Sequence, residues 1–424
     1  MNSSIRNVLF GTFTLRFSTG LTGGLLAFYL ANLPNHGGPE VSAISFSILY
    51  AAFYGTELVA SPFFGLLSDR LGHHRVMQFG PIFGAVAVLI TGSTTNLYLL
   101  GGTRLLEGAA TAASVPSILG FLALATADDE GLRGRTSARF ELATIAGIGA
   151  GTLAAALMYQ YLGTLAFFLN AGIYAGSYAI YRFGVRAPDA PAGPHHRPEY
   201  GWQRYWRLIR TSHVWLLAPT WIAVNAALGV YAGQGLFNLV REPNPKFADQ
   251  LLAGGLGAWE ITIGMLIAGA VFFAGLLYWG NRFKTTRRTS IIFYGIIGGA
   301  VLVVGAVAFN HSGVLDPLLR SPFIVLAGVG LFVLAGATPA ALGLLADMSE
   351  AYPDDRGAVM GLYSVFLGVG QILGSFIGGF AAERAAIDGL LVATLVLMGI
   401  ALLPLYHLRR YEHRFAASAG PNAG

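Results

Sequence analysis

The residues with most chemistry to offer are charges placed where charge is expensive. In the stretch GGTRLLEGAATAASVPSILGF, Gly101 to Phe121, Arg104 and Glu107 stand three residues apart inside an apolar run. On a helix that spacing puts both on one face, so the two can partly neutralise each other. A lone Arg, Lys or Asp at mid-membrane costs roughly 2.5 to 3.5 kcal/mol on insertion scales. A buried carboxylate beside an arginine can also change its proton affinity when a second charge arrives. The plainer reading is a structural ion pair that tethers this helix to its neighbours. Arg16 lies well inside an earlier apolar run (FTLRFSTG), and Glu57 inside the next (YGTELVASP). Glu141 opens a later one, close enough to the aqueous edge for Arg135 or Arg139 to solvate it. Two arginines facing three carboxylates leave one carboxylate able to go without a salt bridge and to bind a proton; Glu57 and Glu107 are the candidates.

Such charges need helices to hold them. Of the 424 residues, 54% are hydrophobic and only 11% charged, against about 25% charged in soluble domains. This balance points to an all-α, multi-pass membrane protein. A spanning helix needs about 20 apolar residues, and twelve such runs are present: 8–31, 42–67, 76–94, 98–124, 139–160, 164–182, 214–238, 257–279, 289–309, 322–346, 358–381 and 388–408. A polar, proline-containing stretch separates the first six from the last six. The expected organisation is a six-helix bundle over 1–183, a linker over 184–213, a second bundle over 214–410 and a tail over 411–424. The N-terminal stub ending at Arg6 precedes a run too long for a signal-peptide core, so no cleavable leader is expected.

Lys and Arg set the orientation. Of 26 such residues, Arg16 and Arg104 lie inside runs, and Arg241, Lys246, Arg320 and Arg384 lie on one side; all the others lie on the opposite side. That places both termini and the linker in the cytoplasm. It also accounts for the net charge of +5 without nucleic acid. The halves repeat: Gly65 ends the second run in GLLSDR and Gly275 the eighth in GLLYWGNR, Pro116-x-x-Leu119-Gly120 returns as Pro339-x-x-Leu342-Gly343, and Arg135 with Gly147 and Gly149 returns as Arg356 with Gly368 and Gly370. Parallel six-helix repeats follow.

The stretch GLLSDRLGHHR, Gly65 to Arg75, resembles the loop signature of the major facilitator superfamily, Gly-x-x-x-Asp-Arg-x-Gly followed by basic residues. Gly65, Asp69, Arg70 and Gly72 match and Arg75 keeps a basic position, while His73 and His74 replace two others. With twelve runs and the repeat, the resemblance spans essentially the whole chain. It implies the fold of that superfamily, two parallel six-helix repeats working by alternating access. It also implies that the loop is a conformational latch, Asp69 facing the N-terminal end of the eleventh helix near Gly357. Arg104 and Gly108 match the Arg-x-x-x-Gly pattern that family members associate with proton movement. Bacterial drug/proton antiporters are the members most resembled, although their fifth-helix Gly-x-x-x-Gly-Pro-x-x-Gly-Gly is here Gly147, Gly151, Thr152, Ala155 and Ala156, which loses the proline kink.

The resemblance implies a secondary transporter of the plasma (inner) membrane, acting as a monomer and exporting a lipophilic or amphiphilic small molecule against protons. Arg104, Glu107, Glu57, Arg16 and Glu141 would serve proton coupling. A lipid or lysolipid transporter and uptake of a small metabolite are the alternatives. The second half is drier: Glu260 reads as interfacial, leaving Trp221, Asn225, Tyr231, Gln234, Tyr363 and Gln371 as candidate substrate-cavity residues. Each polar one could equally be a helix–helix contact. Gly370, Gly374 and Gly378 form a packing seam. In the linker, Trp202, Tyr205, Trp206 and Ile209 share a face opposite Gln203, Arg207 and Arg210, the pattern of a helix lying on membrane lipid. No HExxH, GxSxG or phosphate-binding Gly-x-x-x-x-Gly-Lys-Ser/Thr occurs and cysteine is absent. An enzyme, a metal site and a cofactor are therefore not expected.

Overall fold

Each of the twelve apolar runs is helical in the computed structural model, which describes residues 3–126, 130–186, 214–282, 285–350 and 356–418. For 130, 131, 133, 134, 137, 138, 214, 342, 345–350, 356–364 and 411–418 it describes the backbone only. The interfacial linker helix read at 202–210 lies outside the described residues.

The helices of the first half are α1 (Ser3–Ala31), α2 (Ala43–Leu71), α3 (Phe79–Ser93), α4 (Leu97–Ala125), α5 (Glu130–Leu162) and α6 (Leu165–Gly184), with one short turn of helix at His73–Val76. The second half contributes α7 (Val214–Val240), α8 (Ala258–Arg282), α9 (Arg288–Asn310), and α10, in two pieces at Pro317–Leu334 and Ala337–Glu350. A continuous stretch, Arg356–Ser418, divides into α11 and α12 where Ala385 and Ala386 leave helical geometry. Nine helical segments of the described residues are long and apolar enough to span a membrane, the last of them containing both α11 and α12. Helices α1 and α6, at 29 and 20 residues, are long enough but carry more polar residues. Among the described residues there is no β-strand.

Two departures from the expected boundaries have physical causes. Helix α5 starts at Glu130, well before residue 139, because the polar segment ahead of the apolar run contains no proline to stop it. Helix α10 breaks at Ala335–Gly336, where the Trp279 ring occupies the space a Gly336 side chain would need.

The chain divides into two units, one built from α1–α6 and the other from α7 and α9–α12, with α8 shared at Met265. Inside each unit the same pairings recur. In the first, α1 packs on α5, α2 on α4, and α3 on both α4 and α6. In the second, α7 meets α11 at Gly370 and Gly374, α8 meets α10 at Gly275, and α9 packs on α10 and meets α12 at Gly299 and Met398. The α1–α5 seam depends on bare backbone: side chains at Gly20 or Gly151 would run into the backbone of Ile148 or Phe17. Large apolar side chains such as Leu277, Val325, Val392 and Leu403 stay exposed, while Thr12, Ser18, Ser114, Ser117 and Asn170 are fully buried. This apolar exterior with polar groups inside suits a lipid surround. The hydroxyls of Thr12, Ser114 and Ser117 return to their own helices, as in Thr12 to Val8 O at 2.8 Å and Ser117 to Ala113 O at 2.8 Å.

Candidate functional site

Asn96 caps α4, its side chain accepting from the Tyr98 and Leu99 amides at 2.9 and 3.3 Å. At 1.5 Å per residue, Arg104 then lies about 10 Å along the helix from its start. Arg104 and Glu107 are both buried and directly ion-paired, as their spacing predicts. The guanidinium also lies over the Phe53 ring of α2, 5.4 Å from its centroid, so the cation has a second partner that carries no charge. Its Nε is buried without a hydrogen-bond acceptor among the described residues.

Gly108 explains how α2 comes so near. A side chain there would meet the Phe53 carbonyl, Thr56 Cβ at 2.9 Å and the Glu57 amide at 3.2 Å. The glycine of the Arg-x-x-x-Gly pattern therefore brings the Phe53–Glu57 turn of α2 against the ion pair. One turn earlier on α2, Tyr50 donates to the Tyr54 hydroxyl at 3.3 Å. Glu57 itself is half-buried and, among the described residues, has no ion pair within 4 Å.

Arg16 is the counterpart on α1. It is half-buried, fits against the bare backbone of Gly147 on α5, and likewise has no ion pair among the described residues. With Thr19, Thr111 and Tyr174 it lines a small cavity between α1, α4 and α6. Thr111 is one turn along α4 from Glu107, so the cavity reaches the neighbourhood of the ion pair. The field of Arg16 acts on Glu57, Glu141, Tyr54 and Tyr174. Arg104 acts on Tyr50, Tyr54 and Tyr174. Buried Tyr174, whose ring fills the space over Gly84 of α3, thus feels both arginines, a role its sequence position does not announce. Tyr50 and Tyr54 were missed too, although their four-residue spacing was visible. Glu141 is exposed and lies three turns into α5 rather than at its start.

The Gly65–Arg75 loop is built around one special conformation. Gly72 has φ +93° and ψ 134°, outside the range of ordinary L-residues, which accounts for the glycine. Asp69, Arg70 and Arg75 are exposed. Within its unit, the nearest atom to a Gly65 side chain would be Pro116 Cβ at 3.9 Å, so no packing there demands glycine. The two histidines are structural: His74 Nε2 donates to Tyr181 O at 2.8 Å, tying the loop to α6. His73 contacts Ser68 Oγ at 3.0 Å and Asp69 at 3.8 Å, while its ring covers Gly120 of α4. The repeat has the same feature, with the Arg288 side chain covering Gly343. His73 therefore occupies the position of a basic side chain that closes over the fourth helix of a half.

In the second unit, the residues named for a cavity lie along the α7–α11 seam. Asn225 is buried, donates to Trp221 O at 2.8 Å, and its Cβ abuts Gly370. Gln234 packs on Gly378 and accepts from Asn238 Nδ2 at 2.9 Å. Gln371 packs on Gly229, its buried Oε1 without a donor among the described residues. The Tyr231 hydroxyl lies near Thr394 without hydrogen-bond geometry. The Tyr363 side chain lies outside the described residues. Glu260 is exposed in the first turn of α8, an end that favours negative charge.

The sequence profile of the Major Facilitator Superfamily matches residues 8–338. The chain belongs to the major facilitator superfamily. It is accordingly a multi-pass membrane protein of a transporter family. It is 26% identical over 344 residues to multidrug resistance protein 2 of Bacillus subtilis (strain 168), covering 80% of each chain. It is 22% identical over 386 residues to the quinolone resistance protein NorA of Staphylococcus aureus, covering 89% of this chain and 90% of that one. Among solved structures it resembles the nucleoside transporter NupG, with a TM-score of 0.72 at 14% identity over 97% of this chain and 99% of that one. It also resembles an inward-facing, unoccupied bacterial homolog of the human lysosomal transporter Spinster, with a TM-score of 0.69 at 11% identity over the whole of both chains. At these identities the structural likenesses establish the superfamily fold.

Proposed function

We propose that this superfamily member exports a lipophilic small molecule across the plasma membrane in exchange for protons, by alternating access of its two halves. The observation that carries the reading is the buried Arg104–Glu107 pair on α4, with Phe53 over the arginine and with Glu57 and Arg16, neither ion-paired among the described residues, in the same half. When Glu107 takes a proton, Arg104 loses its charged partner and keeps the Phe53 face, so the loaded form does not strand a bare cation. Arg16, Tyr174 and Thr111 offer a polar route between the pair and α1. The names of the relatives, a multidrug and a quinolone resistance protein, support a lipophilic drug-like substrate.

Both termini face the cytoplasm, and the chain works as a monomer. Asp69, with Arg70 and Gly72, acts as the latch towards the start of α11, and Gly65 allows that approach. Trp221, Asn225, Tyr231, Gln234, Tyr363 and Gln371 contribute the less charged wall of the substrate cavity. Glu57 and Glu141 assist Glu107 through the field of Arg16.

The test uses inside-out vesicles holding an acidic lumen, followed by a pH-sensitive dye while lipophilic cations, neutral amphiphiles and lysolipids are added in turn. Collapse of the gradient that depends on substrate and is lost in Glu107→Gln supports export by proton antiport. Transport of a substrate by Glu107→Gln at the wild-type driven rate would remove Glu107 from the mechanism. A response to lysolipids alone would move the reading to a lipid transporter.

A further inference from the structure

At the end of the second unit where α7 connects to α8, a polar cluster lies outside the machinery described above. Segment 245–253 folds back over the end of α9 and the turn before α12. Phe247 and Ala253 pack there against Ala386, whose φ of +46° marks a strained turn. Asn310, fully buried as the last residue of α9, holds the segment by its backbone: Leu251 N donates to Asn310 O at 2.8 Å and Leu252 N to its Oδ1 at 2.9 Å. Asn310 Nδ2 donates to Asp388 Oδ1 at 2.8 Å, and Gln250 Nε2 donates to Ala385 O at 3.1 Å. Beside these bonds stands His311. Its Nε2 lies 2.7 Å from Asp388 Oδ2 and its Nδ1 lies 3.3 Å from Asp249 Oδ2.

Two carboxylates on opposite ring nitrogens require two N–H donors. A neutral imidazole has one N–H and one lone pair, so it satisfies one aspartate and repels the other; only the imidazolium bonds both. His311 is also the C-cap residue of α9, so its backbone is fixed beside Asn310. Other charges lie on the converging elements. Lys246 lies over the Phe247 ring at 5.3 Å, and Arg320 donates to Leu315 O and Gly313 O at 2.8 and 2.9 Å. Arg384 reaches Phe380 O at 3.4 Å. Asp316 begins α10, and Glu383 precedes the Ala385–Ala386 turn. Among the described residues, Asp249 and Asp388 are the carboxylates paired with His311.

We propose that His311 is a second proton-binding site: protonated, it bridges Asp249 to Asp388 and clamps segment 245–253 onto α9 and α12; deprotonated, it releases Asp249 and loosens the segment. In the orientation proposed above, this clamp faces the cell exterior and is closed when that side is acidic. The clamp stands on its own geometry and does not depend on proton antiport through Glu107.

Hydrogen–deuterium exchange on the full-length protein in detergent tests this, following peptides that span 246–254 at pH 5.5 and 8.5 with correction for intrinsic exchange. The wild type should open about three- to tenfold more at pH 8.5, the worth of one partly exposed charge-assisted bond. His311→Gln should be open at both pH values and His311→Arg, permanently charged with several donors, closed at both. Asp249→Asn, at an exposed position, should show most of the pH effect gone with folding intact. Wild-type protection that is equal at the two pH values overturns the proposal, as does an undiminished pH effect in His311→Gln or Asp249→Asn.

Discussion

Breaking the Arg104–Glu107 pair from either side separates its energetic role from its role in transport. Both side chains are buried, at 6% and 3% exposure. Removing one partner of a buried pair generally costs about 3 to 5 kcal/mol because it leaves an uncompensated charge. The surroundings of the two ions differ, so the costs should differ as well. In Glu107→Gln, Arg104 keeps the Phe53 face, worth about 1 to 2 kcal/mol when desolvated, and gains an amide oxygen. The expected loss is therefore about 2 to 3 kcal/mol, with little dependence on pH. In Arg104→Gln the stranded group is a carboxylate, which can escape by taking a proton. That variant should lose about 3 to 4 kcal/mol at pH 8 and clearly less at pH 5. The sign follows because the folded state of the variant would hold a proton that the unfolded state releases, so raising the pH favours unfolding. Arg104→Met combined with Glu107→Leu removes both charges and should recover most of the stability while abolishing driven transport. The assay is reversible SDS or thermal unfolding of purified protein at pH 5, 6.5 and 8, alongside gradient-driven efflux. Single variants within about 0.5 kcal/mol of wild type, smaller than a typical surface ion pair of up to 1 kcal/mol, would refute the picture of a desolvated pair.

Other outcomes follow from the same geometry. Tyr174→Phe keeps the ring over Gly84 but removes the hydroxyl from the Arg16 cavity; it should stay within about 1 kcal/mol in stability and slow driven efflux measurably. Gly151→Val should abolish recovery of folded protein in size-exclusion chromatography, because the Phe17 carbonyl occupies the space, whereas Gly149→Ala, with nothing within 4 Å, should be tolerated. Gly72→Ala forces a side chain into φ +93° and should cost about 1 to 3 kcal/mol in unfolding assays.

Much of this protein follows from order along the chain. The apolar runs, the basic residues between them and the repeated landmarks are one-dimensional quantities, and lipid translates them directly into helices, because an unpaired backbone cannot cross a bilayer. The Arg104–Glu107 pair is of the same kind: three residues of helix bring the two side chains together whatever surrounds them. What surrounds them was decided by tertiary structure. Phe53 meets Arg104 because Gly108 lets α2 approach, and Tyr174 enters the site from a helix sixty-odd residues away on the chain. That Asn225 and Gln234 lie against Gly370 and Gly378 of α11 was likewise decided by the fold, since a one-dimensional pattern does not say which side of a helix its neighbour will take. The His311 cluster was the least legible part. Asp249, His311 and Asp388 come from three separate stretches, and no spacing rule joins them. They meet because a short segment folds back over the ends of two helices, and only close packing in three dimensions places two carboxylates on one imidazole.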